Sequence, residues 1–261
     1  MVPRRARSAP SNSLPRHRER DMTELLTYKN LPVPYIAAWS NEHLPEPTVV
    51  TAADGIAFVD GLGPNGHAHG RDTAGVLWMR WALRRGDGKP EFNVVHAPRQ
   101  KRAMWKLLCQ VCGGPSDVNE LGRLWLLEDN RDVEGWPEEE ITTHPPLCLR
   151  CAPLAARLCT HLQDNVVAVR VGRVEVDCVY GDVYARSEGP FPVLVEKKQV
   201  VPLDDWRVKW MVGGQLAATL LDVTVVDLAE LGGAVGKGGI PWSGNGSPVT
   251  AGSDASAPAC Q

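Results

Sequence analysis

The chain has 261 residues, 43% of them hydrophobic, and a net charge of −3, enough to bury a sizeable core in one domain or two small ones. It has no apolar run of about 18 residues and no apolar segment of signal-peptide type, which argues against a membrane span or a secretory route and makes the cytoplasm the expected compartment. Disulfides are rare in such a reducing setting, so paired cysteines point to metal binding or redox chemistry.

Residues 1–22 predict a disordered basic arm. Six of the 28 basic residues (Arg4, Arg5, Arg7, Arg16, Arg18 and Arg20) fall within residues 1–20 against Glu19 alone, leaving 22 basic and 30 acidic residues from Asp21 onward. Such an arm could touch nucleic acid or an acidic partner. It reads more simply as a solvated tail, with Met22 opening the patterned chain at TELLTY.

Residues 24–96 predict a β-rich segment, with PTVVTA, DGIAFVD and GVLWMRWAL as short strands. The loop GLGPNGHAHGRD carries His67 and His69, a pair that could bind a metal. No cysteine or carboxylate pair accompanies them, and the Gly/Pro/Asn cluster marks an exposed turn.

Within residues 97–162, HAPRQKRAMWKLLCQVCGG predicts a helix with Pro98 in its first turn and Ala103, Met104, Leu107 and Leu108 as its apolar stripe. Arg99, Arg102 and Lys106 share one face by spacing and form a candidate phosphate-contact surface; the competing reading is the solvated side of an amphipathic helix. GRLWLLED predicts a strand. The acidic loop after it (Glu128, Asp129, Asp132, Glu134, Glu138, Glu139, Glu140) would repel a phosphate backbone on its own side. A helix is expected over 150–162.

Residues 163–231 predict a C-terminal α+β segment. NVVAVRVG, RVEVDCVYGDVYA and FPVLVEKKQVV read as strands, DDWRVKWMVGGQLAATLL as a helix and DVTVVDL as a closing strand. The Gly/Ser/Pro/Ala-rich residues 232–261 predict a disordered tail in which Cys260 has no predicted partner. The fold class expected is α+β, with mixed small sheets around an embedded metal site.

That site is announced by Cys109/Cys112 and Cys148/Cys151, two Cys-x-x-Cys pairs separated by 35 residues. Four thiolates gathered at one point suit a tetrahedral metal, and the two pairs match one another as a ligand set. Gly113 and Gly114 suit a tight knuckle after the first pair, and the second pair leads directly into a helix. A knuckle, a strand, then paired cysteines opening a helix resembles the treble-clef zinc-finger superfamily over Ala97 to His161. The composition, rich in Arg, Ala, Val, Gly and Pro, points to a high-GC bacterial genome, and the segment resembles uncharacterised zinc-finger proteins of such bacteria.

The resemblance implies structural zinc, with iron as the alternative metal, and an interaction module whose partner is protein or nucleic acid. A closed four-thiolate shell leaves no coordination position for substrate. Cys159 lies about 12 Å along a continuous helix from Cys151, too far to share an ion bound through sulfur at about 2.3 Å. His161 falls with it. His144 is near Cys148, but four cysteines already fill the shell.

Two nuclease resemblances compete with the binding reading. HNH nucleases are similar in their two cysteine pairs, yet they need a histidine on the strand after the first knuckle. This chain has Leu126-Leu127-Glu128-Asp129-Asn130 there, so the general base is missing. The order Asp182, Glu196-x-Lys198, then Gln215 in a predicted helix is similar to the PD-(D/E)xK superfamily. That resemblance implies a Mg²⁺ held by the carboxylates and a lysine acting on the attacking water. Strand alternation puts Glu196 and Lys198 on one face; Glu-Lys-Lys at a strand end also reads as a solvated terminus.

Overall fold

The computed structural model describes residues 25–159, 165–228 and 231; the basic arm 1–22, His161 and the tail 232–261 with Cys260 lie outside them. Strands β1 (Thr27–Tyr28), β2 (Leu31–Pro32), β3 (Ala37–Trp39), β4 (Val49–Ala52), β5 (Gly55–Phe58), β6 (Leu77–Trp78) and β7 (Pro90–Val95) precede helix α1 (Ala97–Trp105). Then come β8 (Val118–Asn119), β9 (Gly122–Glu128), β10 (Ile141–Thr142), helix α2 (Ala152–Leu158), β11 (Val166–Ala185), β12 (Val193–Pro202) and β13 (Met211–Val226). None of the helices among these residues is long and apolar enough to cross a membrane.

The architecture is built on β11 and β13, which pair antiparallel from Ala168↔Val226 to Val183↔Met211. Their valine-rich alternation supplies the half-buried faces that a long ladder needs. The two strands predicted before and after Gly172 merge into one, because Val171↔Val223 and Arg173↔Leu221 continue the pairing on both sides of the glycine. On its other edge β11 takes β9 along its first part and β12 along its second. The outer neighbours in this sheet are β10 and β6 on β13 and β8 on β9.

The helix predicted over 204–221 is not formed. A 3-10 turn, Trp206–Trp210, leads instead into β13. Alanines and leucines favour a helix, but two consecutive glycines disfavour it, and small residues here serve close packing. A Cβ on Gly213 would stand 2.8 Å from Val76 Cγ1 and 3.0 Å from Val179 Cγ2.

The predicted strand GVLWMRWAL reduces to the two residues of β6. Beyond it the chain finds single partners rather than a neighbouring strand. The Met79 N–H donates to the Gly213 carbonyl and the Ala82 N–H to the Glu42 carbonyl, while Arg84 N–H donates to the Glu42 side chain.

Helix α1 lies on β13 and acts partly as an extra strand. The Gln100 side chain donates to the Leu216 carbonyl at 2.8 Å and accepts from the Leu216 N–H at 2.9 Å. His96 caps the helix, its Nδ1 accepting from the Arg99 N–H. At the other end the Leu108 N–H reaches the Ala103 carbonyl at 2.8 Å and the Leu107 N–H the Met104 carbonyl at 3.2 Å. This is a Schellman stop with Leu107 in the left-handed region (φ +50°), a place usually held by glycine. Its turn delivers the chain straight into Cys109.

Alternation along β9 separates two cores. Trp125 and Leu127 face one side with Val167, Val169 and Val171 of β11. Leu124 and Leu126 face the other with Ala168, and that side carries the cysteines.

Candidate metal centre

Leu124, Leu126, Leu147, Ala152 and Ala168 form an apolar floor around Cys109, Cys112 and Cys151, which are buried, and the half-buried Cys148. The four sulfur atoms lie within 4.8 Å of one another, with Cys112 and Cys148 3.9 Å apart. A tetrahedral ion with bonds to sulfur of about 2.3 Å sets its ligands about 3.8 Å apart, close to the Cys112–Cys148 separation and within about 1 Å of the widest in the cluster.

The first pair is held by a knuckle. The Gly113 N–H donates to the Cys109 carbonyl at 2.7 Å and the Cys109 N–H to the Gly114 carbonyl at 2.8 Å. Gly113 has φ +74°, and a Cβ there would stand 2.7 Å from the Tyr35 ring. Conformation and packing both require glycine. A strap from the N-terminal segment secures the knuckle: the Tyr35 N–H donates to the Val111 carbonyl at 2.8 Å and the Ile36 N–H to the Gln110 carbonyl at 3.3 Å.

The second pair is placed by β9. The Leu147 N–H donates to the Leu124 carbonyl at 2.9 Å, which sets Cys148 beside the sheet. Cys151 is the N-cap of α2, and the Ala152 N–H donates back to the Cys148 carbonyl at 3.0 Å. Helix α2 ends at Leu158, earlier than predicted, with Cys159 as its C-cap outside the sulfur cluster.

Without a cation, four clustered sulfurs must share protons. The hydrogen bond with Cys112 pushes the Cys109 thiol up, while Cys109 pulls Cys112 down and brings Cys148 to about 7. Cys151 is pushed up by its hydrogen bond with Cys109. Only a positive ion allows all four to ionise together.

Among the described residues these four cysteines are the only group of three or more His, Cys, Asp or Glu side chains placed to hold an ion. His67 lies 3.9 Å from the Asp54 carboxylate, and the His69 N–H donates to the Gly61 carbonyl. His144 is exposed, its carbonyl accepting from the Trp125 indole at 2.7 Å.

The predicted basic face on α1 does not form as one surface. Arg99 is buried, and its guanidinium grips both oxygens of the buried Glu42, at 2.5 and 2.6 Å. Glu42 also accepts from the Trp39 and Arg84 N–H groups. Burial raises the Glu42 carboxyl, but the Arg99 hydrogen bonds and charge outweigh it and hold the group below its ordinary range. Arg102 donates to the Tyr35 hydroxyl at 3.3 Å, which leaves Lys106 as the exposed member of the trio.

Asp182, Glu196 and Lys198 of the predicted set fall at neighbouring positions of the β11–β12 pair, and Gln215 lies on β13 on the other side of β11. Asp182 accepts from the backbone N–H of Lys198 at 3.0 Å, across a bulge where Lys198 has φ +56°. Glu196 and Lys198 are exposed on β12, and Gln215 stands opposite Tyr180 in a strand, not in a helix.

Sequence reading missed Glu42 and the Tyr35–Ile36 strap, since neither carries a local spacing signal. No protein-family model matches this chain, and neither a curated protein nor a solved structure does.

Proposed function

We propose that Cys109, Cys112, Cys148 and Cys151 hold one structural zinc ion in a treble-clef-like arrangement, and that the protein is a zinc-stabilised interaction module for protein or nucleic acid. The observation that carries this reading is the convergence of four sulfur atoms within 4.8 Å from two pairs far apart in sequence. Thiolates select zinc or iron over harder cations, and a filled shell makes the ion a clamp rather than a reagent. Binding free energies of order 10–16 kcal/mol for structural zinc in small fingers show how much such an ion contributes to folding.

Support for a partner on this side comes from Trp105, 66% exposed, beside the exposed Lys106 at the end of α1. No observation favours a Mg²⁺-dependent nuclease, since the Asp182 carboxylate is engaged by the Lys198 backbone and no helix carries Gln215. Metal analysis of the purified chain tests the zinc reading: one zinc per chain is expected, and an optical spectrum typical of iron–thiolate would replace zinc with iron. A protein without stoichiometric zinc or iron would overturn it.

A further inference from the structure

Strand β12 flanks the second part of β11 and is bonded to no other strand among the described residues. Such an edge leaves backbone N–H and C=O groups open to another chain. Part of it is blunted. Lys197 and Lys198 are charged and exposed, Lys198 bends into the left-handed region (φ +56°) with its N–H donating to Asp182, and Pro202 has no N–H. The stretch before these residues has no such protection: Phe191, Val193, Leu194 and Val195 are between 40% and 59% exposed. Neighbouring side chains on a strand point to opposite faces, so the consecutive exposed residues Val193, Leu194 and Val195 leave both faces uncovered here.

The charges around this apolar run are ordered, with Glu188 before it and Lys197 and Lys198 after it, all exposed. A second copy of the chain carries the same order, and reversing its direction brings acid to base. In an antiparallel pair centred on Val193, Phe191 stands opposite the other copy's Val195, and Glu188 opposite its Lys198. A parallel pair would set Lys198 against Lys198 and Glu188 against Glu188, and like charges placed opposite one another destabilise a ladder. The antiparallel pair has a two-fold axis, so it covers both edges and closes at two copies.

We propose that β12 is a self-association edge through which two copies of this chain pair antiparallel along residues 191–195. The inference is separate from the zinc reading. Val193 pairs with Ala185, at the end of β11 opposite Ala168 and the cysteine floor, so association leaves both metal centres uncovered.

Sedimentation velocity of the purified full-length chain from low to high micromolar concentration, with hydrogen exchange of the β12 amides, tests this. A reversible monomer–dimer equilibrium is expected, with β12 amides gaining protection as the dimer forms. Val193→Lys sets like charges at the centre of the pair, on a side chain that is exposed in the single copy. Its dissociation constant should rise about tenfold or more, with the parent's unfolding midpoint kept at low concentration. Lys198→Glu places carboxylates together and should weaken association about fivefold, and adding Glu188→Lys should restore it by exchanging the partners.

A parent that sediments as a monomer at every concentration would overturn the inference: freely exchanging β12 amides would leave the edge to a different protein, and shielded ones to another stretch of this chain. A dimer that Val193→Lys leaves intact would overturn it equally. Should Val193→Lys fail to fold, the charge exchange decides. Restored association supports the antiparallel pair, and a double variant no tighter than Lys198→Glu refutes it. A dimer without metal would remove the zinc reading alone, and a zinc-loaded monomer this inference alone.

Discussion

Glu42 concentrates more interactions than any single metal ligand, and its removal should be correspondingly costly. Glu42→Gln leaves Arg99 buried without its counter-ion, and a loss of about 3–5 kcal/mol is expected in denaturant titration. Parent-like stability would refute that role. The same cluster sets an acid limit. Burial lowers the His96 pKa below its ordinary 6.5, so the unfolded chain takes up the proton first and stability falls as the pH drops below that value. The Glu42 contribution, from a lowered carboxyl, persists to lower pH and is lost as the pH falls through its folded value. His96→Gln should remove the first part of the acid loss and leave the second; an unchanged profile would contradict the assignment. At this scale the four cysteines were legible because metal ligation imposes a spacing. Glu42 and Arg99, 57 residues apart, were not, because a buried ion pair imposes none.

Among the elements, β13 separates local propensity from tertiary context. Its Ala- and Leu-rich stretch reads as a helix by itself, yet pairing with β11 and the side-chain bonds from Gln100 hold it extended. Gly213→Ala distinguishes the two. In a helix the change would stabilise by about 1 kcal/mol. In the strand its new methyl meets Val76 and Val179, and a loss of about 1–3 kcal/mol is expected from thermal or chemical unfolding. Helix α1 and strand β9 were easier to anticipate, since a Pro-initiated amphipathic run and an apolar strand pattern are local signals, but the predicted helical stripe ran through Leu107 and Leu108, past the stop at Trp105. That Leu107, rather than glycine, takes the left-handed position has a visible reason in its packing against the Trp125 core. Gly113→Ala strains a knuckle already closed by Tyr35, so faster zinc release to a chelator is expected, and an unchanged release rate would argue against the strap.

For the whole molecule, the cysteine cluster is where the N-terminal strap, the knuckle, β9 and α2 meet. An ion there would join stretches that the chain presents far apart, which is why the ligands were readable and their scaffold was not. The most direct measurement is native mass spectrometry of the purified full-length chain, before and after chelation, with alkylation of the thiols followed in parallel. The account predicts one zinc per chain, slow alkylation of Cys109, Cys112, Cys148 and Cys151 while the zinc is bound, and rapid alkylation with lost folded structure once it is removed. A metal-free chain that stays fully folded with those four thiols reacting freely would contradict it.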